Sequence, residues 1–559
     1  MSDLLNQASL VMVPSGYKED TVYSVVPSDG SGDLSFTRAS NGTRVNSAGL
    51  VEVCPWNFVE QSSNLSSWTT AGVTITTGIT DAFGTTNAVT MGLISSGSNT
   101  DYIVKYSNAM ALPTGTQINY SVYLKGSGTI GVIIERSVSG DYFYQQQGVT
   151  LSNTWTRYDF AYTIGVGVNA NGISFYVSNL TGTTATSVDI CFPQINYGST
   201  AKPYFPTTDR LNVPRLTYQN GGGGCPSLLL EKQSTNVCLY SEQIDNASWD
   251  KVNGSGGTAP VVTANYGISP DGTQNADRVQ LARTTAAGSY SYVYQTITLS
   301  ASATYTVSVY LKSLSGTPTI SIALDGVGYD HVVTMTTEWA RYEVEIVAGG
   351  SFDRAQLLLY QAVASTSLTA DFLAWGFQVE QSSYPTSYIP TTSSSATRVA
   401  DFATTNNISS LFGSTEGSFF IEMTYDNSNA SGAIPLFLRS SANAAYNYAT
   451  YLQFGGGTVQ FYVYDSGSSQ ASMTSSAIYT TGQKLKIAFA YKQNDFVIYV
   501  NGVQIGTDAN GSISTSLAFI DLGTYNQVAD TYRYNGAISE AVLFPTRLTN
   551  AELASLTTL

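Results

Sequence analysis

Charge is what this 559-residue sequence has least of: Asp, Glu, Lys and Arg together make up 11% of it, against roughly 25% in ordinary globular domains. Solubility must then come from Ser, Thr, Asn, Gln and backbone groups. The charge present is acidic, 39 Asp and Glu against 24 Lys and Arg, for a net charge of −15. A field of that sign repels a phosphate backbone or an anionic bilayer, which argues against nucleic acid as a partner. No run of 18 or more apolar residues exists, so no spanning helix and no membrane insertion are expected. The opening MSDLLNQASLVMVPSGYKED has no basic leader before its apolar stretch and does not read as a signal peptide.

Proton-handling and metal-binding groups are equally scarce. The one histidine, His331 in GYDHVV, would have to serve any Ser–His–Asp or Cys–His relay, and on a strand its neighbour Asp330 falls on the opposite face. Zinc sites built on several histidines are excluded. Cys54, Cys191, Cys225 and Cys238 are scattered, with no CxxC pair; they offer no ligand spacing and no disulfide scaffold, and read as buried free thiols. Gly221–Gly224 lacks the Lys-Ser/Thr of a P-loop. Asn-X-Ser/Thr triplets at Asn41, Asn64, Asn246 and Asn253 read as by-products of a polar composition. Glycoside hydrolysis needs paired carboxylates, and the nearest candidates in the last third, Glu416, Glu422 and Glu540, form no i, i+2 pair. No catalytic residue is assigned. The chain reads as a non-enzyme.

What is present in abundance is Tyr, 38 residues, and Gly, 50, a mixture suited to pleated sheets joined by tight turns. The sequence also repeats itself. EQSSNLSSW ending at Trp68 matches SEQIDNASW ending at Trp249; YSVYLK ending at Lys125 matches VSVYLK ending at Lys312. NTWTRYDF around Trp155 matches TEWARYEV around Trp339, and PYFPTT with Tyr204 matches SYIPTT with Tyr388. The offsets are 181, 187, 184 and 184 residues, which marks a domain-sized duplication. Segments such as TYTVSVYL (304–311), TISIAL (319–324) and RYEVEIV (341–347) predict short strands of antiparallel sandwiches or jelly rolls. No segment of either copy holds a 3.6-residue apolar period.

After residue 396 come SFFIEMTYD, IPLFLR, TVQFYVYD and KLKIAFAYKQNDFVIYVNGVQIGT, consecutive strands with Asn494-Asp495 and Asn501-Gly502 as hairpin turns. Thr549 and Glu552 have capping-box spacing for a short terminal helix in LTNAELASL. Between the copies, Gly221–Gly224 reads as a tether or a tight loop, and the apolar CPSLLLE after it is expected to be covered by a neighbour.

VMVPSGYKEDTVYSVVPSDGSGDLSFTRASNGTRVNSAGLVE (11–52) resembles the N-terminal signature of a family of phage and prophage structural proteins, and NVPRLTY, CPSLLLE and TNVCLYSEQIDNASW are similar to that family's next block. Residues 235–396 resemble a carbohydrate-binding-module-like jelly roll. Residues 397–559 resemble a laminin-G or concanavalin A-like lectin sandwich, most clearly in YVNGVQIGT and YNGAISEAVLFPTRLTNAELASL. One departure is that an extra jelly roll (57–208) separates GLVEV from NVPRLTY, blocks that lie closer together in simpler members.

The fold expected is therefore all-β: tandem antiparallel β-sandwiches, two duplicated jelly rolls plus a C-terminal concanavalin A-like sandwich. The domains drawn are a virion-attachment segment (1–56), jelly roll 1 (57–211), a Gly-rich connector (212–234), jelly roll 2 (235–396) and a lectin-like domain (397–559). The resemblance implies a phage virion surface fibre or decoration protein, made in the bacterial host cytoplasm, that meets other virion proteins through its N-terminal region and host-surface glycans through its modules. It also implies a homo-oligomer, a trimer or else a dimer. Sugar rings stack on aromatic faces, and Tyr142, Tyr144, Gln145, Tyr329, Tyr446, Tyr448 and Tyr451 offer that chemistry. No cofactor is implied; calcium is conceivable at Asp271 and Asp277, where an Asx-turn is the competing reading. The alternatives are a purely architectural virion component and a polysaccharide depolymerase.

Overall fold

A computed structural model describes residues 2–95, 98–112, 116–138, 141–165, 170–219, 221–324, 331–349, 352–363, 365–425, 432–440, 449–513, 516–524 and 532–559; for 2, 3, 108–112, 137, 138, 141, 142, 170, 171, 352 and 353 it describes the backbone alone. The structure is nearly all β, with antiparallel pairing in every sheet. Among the described residues no helix is long and apolar enough to cross a membrane. The chain divides into two compact units, Glu52–Arg210 with Thr235–Ala396, and Met1–Val51 with Leu211–Ser234 and Thr397–Leu559.

The first unit holds the duplication. In copy one, Asp141–Thr150, Thr129–Val138, Ala170–Ser178, Tyr102–Leu112 and Thr69–Ala71 make one five-stranded sheet. Thr156–Thr163, Gln117–Gly126, Ser187–Tyr197, Ala88–Leu93 and Val73–Ile79 make the other. Copy two repeats both orders strand for strand, from Val332–Thr334 to Asp250–Gly254 and from Ala340–Val347 to Thr258–Gly267. Each copy closes over its own apolar core.

The repeated words in the sequence are the polar clasps of these sandwiches. Ser62 Oγ meets Tyr204 OH at 3.0 Å, and Ser241 Oγ meets Tyr388 OH at 2.6 Å. The indole N–H of Trp68 donates to Gln61 O and that of Trp249 to Tyr240 O, with both acceptor residues in the left-handed region, at φ 52° and 48°. Arg157 and Arg341 each donate to a serine on the neighbouring strand, Ser121 and Ser308, at 2.9 Å. Four matched landmarks thus have one physical reason: buried polar groups need partners, and these residues supply them.

The second unit is a sandwich assembled from three stretches of chain. Its eight-stranded sheet runs Arg215–Thr217, Ser227–Leu230, Gly536–Phe544, Glu416–Thr424, Lys484–Lys492, Asp495–Val500 and Val503–Asp508, with Leu10–Met12 also on Gly536–Phe544. Its nine-stranded sheet begins with Tyr17–Lys18, Thr21–Val22 and Leu34–Thr37 and continues through Phe402–Thr405, Phe519–Leu522, Leu436–Arg439, Ala449–Gly455 and Thr458–Asp465 to Ser468–Thr474. Leu10, Met12, Leu34, Phe36, Leu216, Leu228 and Leu230 share one core with the strands after residue 396. CPSLLLE is therefore a core strand. The glycine run is a tight loop: all four glycines have positive φ, and a Cβ on Gly222 would lie 2.4 Å from the Gly49 nitrogen.

A buried ionic cluster joins the three stretches. Arg38 Nη1 lies 2.9 Å from Asp401 Oδ1, Arg215 pairs with the other oxygen of Asp401 and with Glu231 at 2.6 Å, and Arg398 reaches Glu231 at 3.4 Å. All five side chains are at most 5% exposed. The Glu231 N–H also donates to Asp401, and the Val213 carbonyl accepts from Arg38, so the charges are hydrogen-bonded as burial requires. The turns expected at Asn494 and at Asn501-Gly502 are present, with Asn494 and Asn501 at φ 58° and 50°, and a helix Asn550–Thr557 opens with the capping box of Thr549 and Glu552. Of the four free cysteines, Cys54, Cys191 and Cys238 are buried; Cys225 is exposed, because it sits at the mouth of the glycine loop, ahead of the core strand.

Removing one partner of such a cluster leaves an uncompensated buried charge, which costs about 3–5 kcal/mol. Asp401→Asn is expected to destabilise the three-stretch sandwich by that amount, read as a lowered urea midpoint. Thr549→Ala is expected to cost about 1 kcal/mol in the same assay.

Candidate functional site

Strand alternation sends Leu436, Leu438, Leu452, Phe461 and Val463 into the core of the three-stretch sandwich, so their neighbours stand on the opposite face of the nine-stranded sheet. Register then lines those neighbours up. Phe437 lies directly opposite Tyr451, and Tyr451 opposite Tyr462. The Phe437 and Tyr451 rings are 5.4 Å apart; Tyr451 stacks on Tyr462 at 5.1 Å and 25°, and on Tyr464 at 6.1 Å and 15°. Tyr451 is 4% exposed, and Tyr462, Tyr464 and Tyr532 are part-buried against it. Tyr451 is therefore the wall behind the face, and Tyr462 and Tyr464 are the rings that reach solvent.

The same row carries fixed polar groups. Asp521 lies opposite Phe437 and receives Arg439 Nε at 2.7 Å, Arg439 Nη2 at 3.0 Å and Thr404 Oγ1 at 2.6 Å. The forked geometry is the strong, planar form of an ion pair, and both partners are buried. Tyr462 donates to Gln460 Oε1 at 3.1 Å. The result is a flat aromatic strip with amide and ionic hydrogen-bonding groups beside it. It offers no nucleophile–base pair; it offers stacking and hydrogen bonds.

The other sequence-chosen residues fall as follows. Tyr446, Tyr448 and Tyr329 lie outside the described residues, as does the side chain of Tyr142. Tyr144 accepts from Asn99 Nδ2 at 2.9 Å and donates to Gln146 at 2.9 Å. Alternation turns Gln145 to the face that holds buried Phe143, away from Tyr144. Asp271 closes its own turn, accepting from Ser269 Oγ, Thr273 N and Thr273 Oγ1. Asp277 is buried elsewhere in the copy, accepting from the N–H groups of Asp245 and Asn265, both at 2.9 Å. The two aspartates thus have separate partner sets. Among the described residues no group of three or more His, Cys, Asp or Glu could hold a metal ion.

Of the strip and its polar neighbours only Tyr451 was singled out from the sequence; Tyr462, Tyr464, Asp521, Phe437, Gln460 and Arg439 were not. Tyr462 and Tyr464 were legible as the outward positions of TVQFYVYD, whose inward positions are Phe461 and Val463. Asp521 gave no local signal, since its partner Arg439 is 82 residues away. The structure also sets Glu422 directly across from Glu540, a pairing that strand spacing alone does not show. Glu422 is clamped by Lys484 at 2.6 Å and Lys486 at 3.8 Å, and Glu416 by Lys492 at 2.8 Å. Burial, and then the charge of Glu422, raises the Glu540 carboxyl above its ordinary range.

Residues 391–554 match the model of the concanavalin A-like lectin/glucanases superfamily of laminin-G type, which accords with the sandwich that carries the tyrosine strip. No curated relative matches the sequence. Among solved structures, the carbohydrate-binding module of the Ruminococcus gnavus IT-sialidase, bound to α2,3-sialyllactose, is 16% identical, covering 28% of this chain and 91% of that one at a TM-score of 0.24. The tandem carbohydrate-binding modules of Paenibacillus barcinonensis Xyn10C are 11% identical, covering 58% of this chain and 97% of that one, at a TM-score of 0.20. Tailspike protein 4 of bacteriophage CBA120 is 18% identical, covering 26% of this chain and 22% of that one, at a TM-score of 0.20. Scores of this size carry no inference about ligand or reaction.

The acids of copy two make a pH prediction. Burial first, and then the charge of Asp271, raises Glu242 to about 8, while its oxygens take the hydroxyl of Tyr388 at 3.0 Å and the amide of Asn275 at 3.2 Å. Burial and Asp245 raise Asp277 to about 7. A carboxyl raised in the folded state favours folding fully below its unfolded value and loses that contribution as pH climbs through the folded one. Stability is therefore expected to fall from about pH 3.8, where Asp277 begins to lose its contribution, to about pH 8, where that of Glu242 is exhausted. Glu242→Gln should flatten the last part of the fall, from 7 to 8, in unfolding midpoints measured across that range.

Proposed function

We propose that this chain binds carbohydrate without transforming it, as an adhesive component of a phage virion surface, and that the tyrosine strip of the concanavalin A-like sandwich is the contact surface. The observation that carries the reading is the row Asp521–Phe437–Tyr451–Tyr462, one buried ion pair beside stacked rings on one sheet face. A pyranose presents a C–H face to Tyr462 and Tyr464 and hydroxyls to Gln460, while the buried Arg439–Asp521 fork holds the sheet behind them rigid, the combination expected of a shallow sugar site. The virion assignment draws its support from residues 11–52 and their resemblance to phage structural proteins. On this reading the N-terminal stretch and the connector serve attachment by completing the sandwich that displays the strip, and the assembly is homo-oligomeric.

A depolymerase reading would use Glu422 and Glu540. The lysines on Glu422 make a structural clamp the better account of that pair.

Binding of the full chain to a glycan array or to host cells is expected to drop at least tenfold, about 1.4 kcal/mol, in the Tyr462→Ala, Tyr464→Ala double variant, with its unfolding midpoint little changed. Unchanged binding would sink the assignment of the strip. Release of reducing ends from capsular polysaccharide, abolished by Glu540→Gln, would establish the depolymerase instead.

A further inference from the structure

The two copies of the jelly roll share a backbone but have parted company on the outer face of one sheet. In copy one, Phe83 lies flat on Phe192, 4.9 Å away at 17°, and edge-on to Tyr123 at 5.6 Å. Trp155 adjoins this cluster, its indole N–H donating to Thr80 O at 3.1 Å. Phe83 is 61% exposed. Leaving the ring open forgoes part of the roughly 1.5–3 kcal/mol that burying a Phe side chain contributes.

The loop that presents Phe83 is braced. The carboxylate of Asp81, itself buried, accepts from the N–H groups of Phe83 at 2.9 Å, Thr85 at 3.0 Å and Asn87 at 3.3 Å. Burial by itself raises its pKa, but the Thr85 hydroxyl and then these N–H groups outweigh that and hold it below the ordinary value. A ring on a preformed loop can take a ligand with little ordering cost. Along the edge of the aromatic patch runs a polar row: Lys125 Nζ sits 5.5 Å from the Trp155 ring centre and 3.1 Å from Asp189, and Asp189 accepts from Thr90 Oγ1 at 2.5 Å. Lys125 and Asp189 cancel in charge, so the row supplies donors and acceptors without net attraction for an ion.

Copy two is the internal comparison. Its turn closes with the same bond, Ser269 N to Thr273 O against Asp81 N to Thr85 O, and its strand Thr369–Glu380 slips register at the same place as Ser187–Tyr197. Those anchors put Asp271 where copy one has Phe83, Gly376 where it has Phe192, and Leu373 where it has Asp189. Phe83, Phe192 and Asp189 thus have no like counterpart in copy two, which keeps Tyr310 and Lys312 and carries its ion pair at Arg278 and Asp371 instead, while the Trp155 equivalent, Trp339, keeps its bond to the loop at 3.0 Å. The fold does not require these residues, which points to a task specific to copy one.

We propose that copy one carries a second sugar site, independent of the tyrosine strip, that takes a neutral hexopyranose: the ring's C–H face on Phe83 and Trp155, its hydroxyls on Asp189 and Lys125. This deepens the carbohydrate-binding reading above and names the ligand class by the absence of net charge along the row. The test is saturation-transfer NMR on the full chain carrying Tyr462→Ala and Tyr464→Ala, with methyl α-glucopyranoside, methyl α-mannopyranoside and methyl β-galactopyranoside as probes and N-acetylneuraminic acid as the charged comparison. Transfer to at least one neutral probe is expected to persist in that background. Adding Phe83→Ala or, separately, Asp189→Asn should weaken it at least tenfold, with the unfolding midpoint unmoved. Transfer that is absent for every neutral probe, or stronger for the charged one, or indifferent to both substitutions, overturns the proposal. So does a Phe83→Ala variant whose only change is a smaller sedimentation coefficient, which would make the patch a contact between copies of the chain. Because the strip is already disabled in this background, failure here leaves the reading of the strip untouched, and failure of the strip leaves this site testable.

Discussion

Five buried ionic side chains decide how this chain is laid out. Arg38 belongs to the first stretch of sequence, Arg215 and Glu231 to the second, and Arg398 and Asp401 to the third. Arg215 pairs with Glu231 inside the second stretch, and the contacts of Arg38 and Arg215 with Asp401 and of Arg398 with Glu231 join the three stretches. The backbone carbonyls of Val213 and Lys232 serve Arg38 and Arg398 as further acceptors. In an ion-poor chain, this concentration of hydrogen-bonded charges ties three strand sets together at their junction, so removing any one of the five side chains strands its buried partners.

That arrangement also explains what could and could not be read in advance. The jelly rolls were legible because their signals are local: alternating strands, Trp68 and Trp249 at matched places, and Ser62–Tyr204 repeated as Ser241–Tyr388. The concanavalin A-like character of the last third was legible in YVNGVQIGT, with its Asn-Gly turn, and in the capping box at Thr549. The recruitment of residues 10–37 and 215–230 into that sandwich was not, since nothing local marks LVM or SLLL as partners of a strand more than 300 residues on. A continuous apolar word reads as buried, but not where.

The binding surface shows the same division. Tyr451 was picked for its chemistry and turns out to be the buried wall, while Tyr462 and Tyr464 do the presenting; only register across three strands distinguishes those roles. The platform around Phe83 was invisible for a different reason. Its members come from five separate elements, and its meaning appears only when copy two is laid beside it and the same positions read Asp271, Gly376 and Leu373. Duplication supplied the scaffold twice and left one surface free to change.

Ser9 bonds the carbonyl of Leu543, 534 residues further along, and the strand after it lies against the same partner. At a synthesis rate of about 5–20 residues per second, the opening strand waits about half a minute to two minutes for its mate to be made. Both jelly rolls, each built from one continuous stretch, emerge and can fold in the interval. The ribosome thus sets an order: the two inserted modules first, the enclosing sandwich last, with LVM and its companions standing unpaired meanwhile. In a nascent chain of this design, Leu10–Met12 stays without its partner strand until residues 541–543 have been translated.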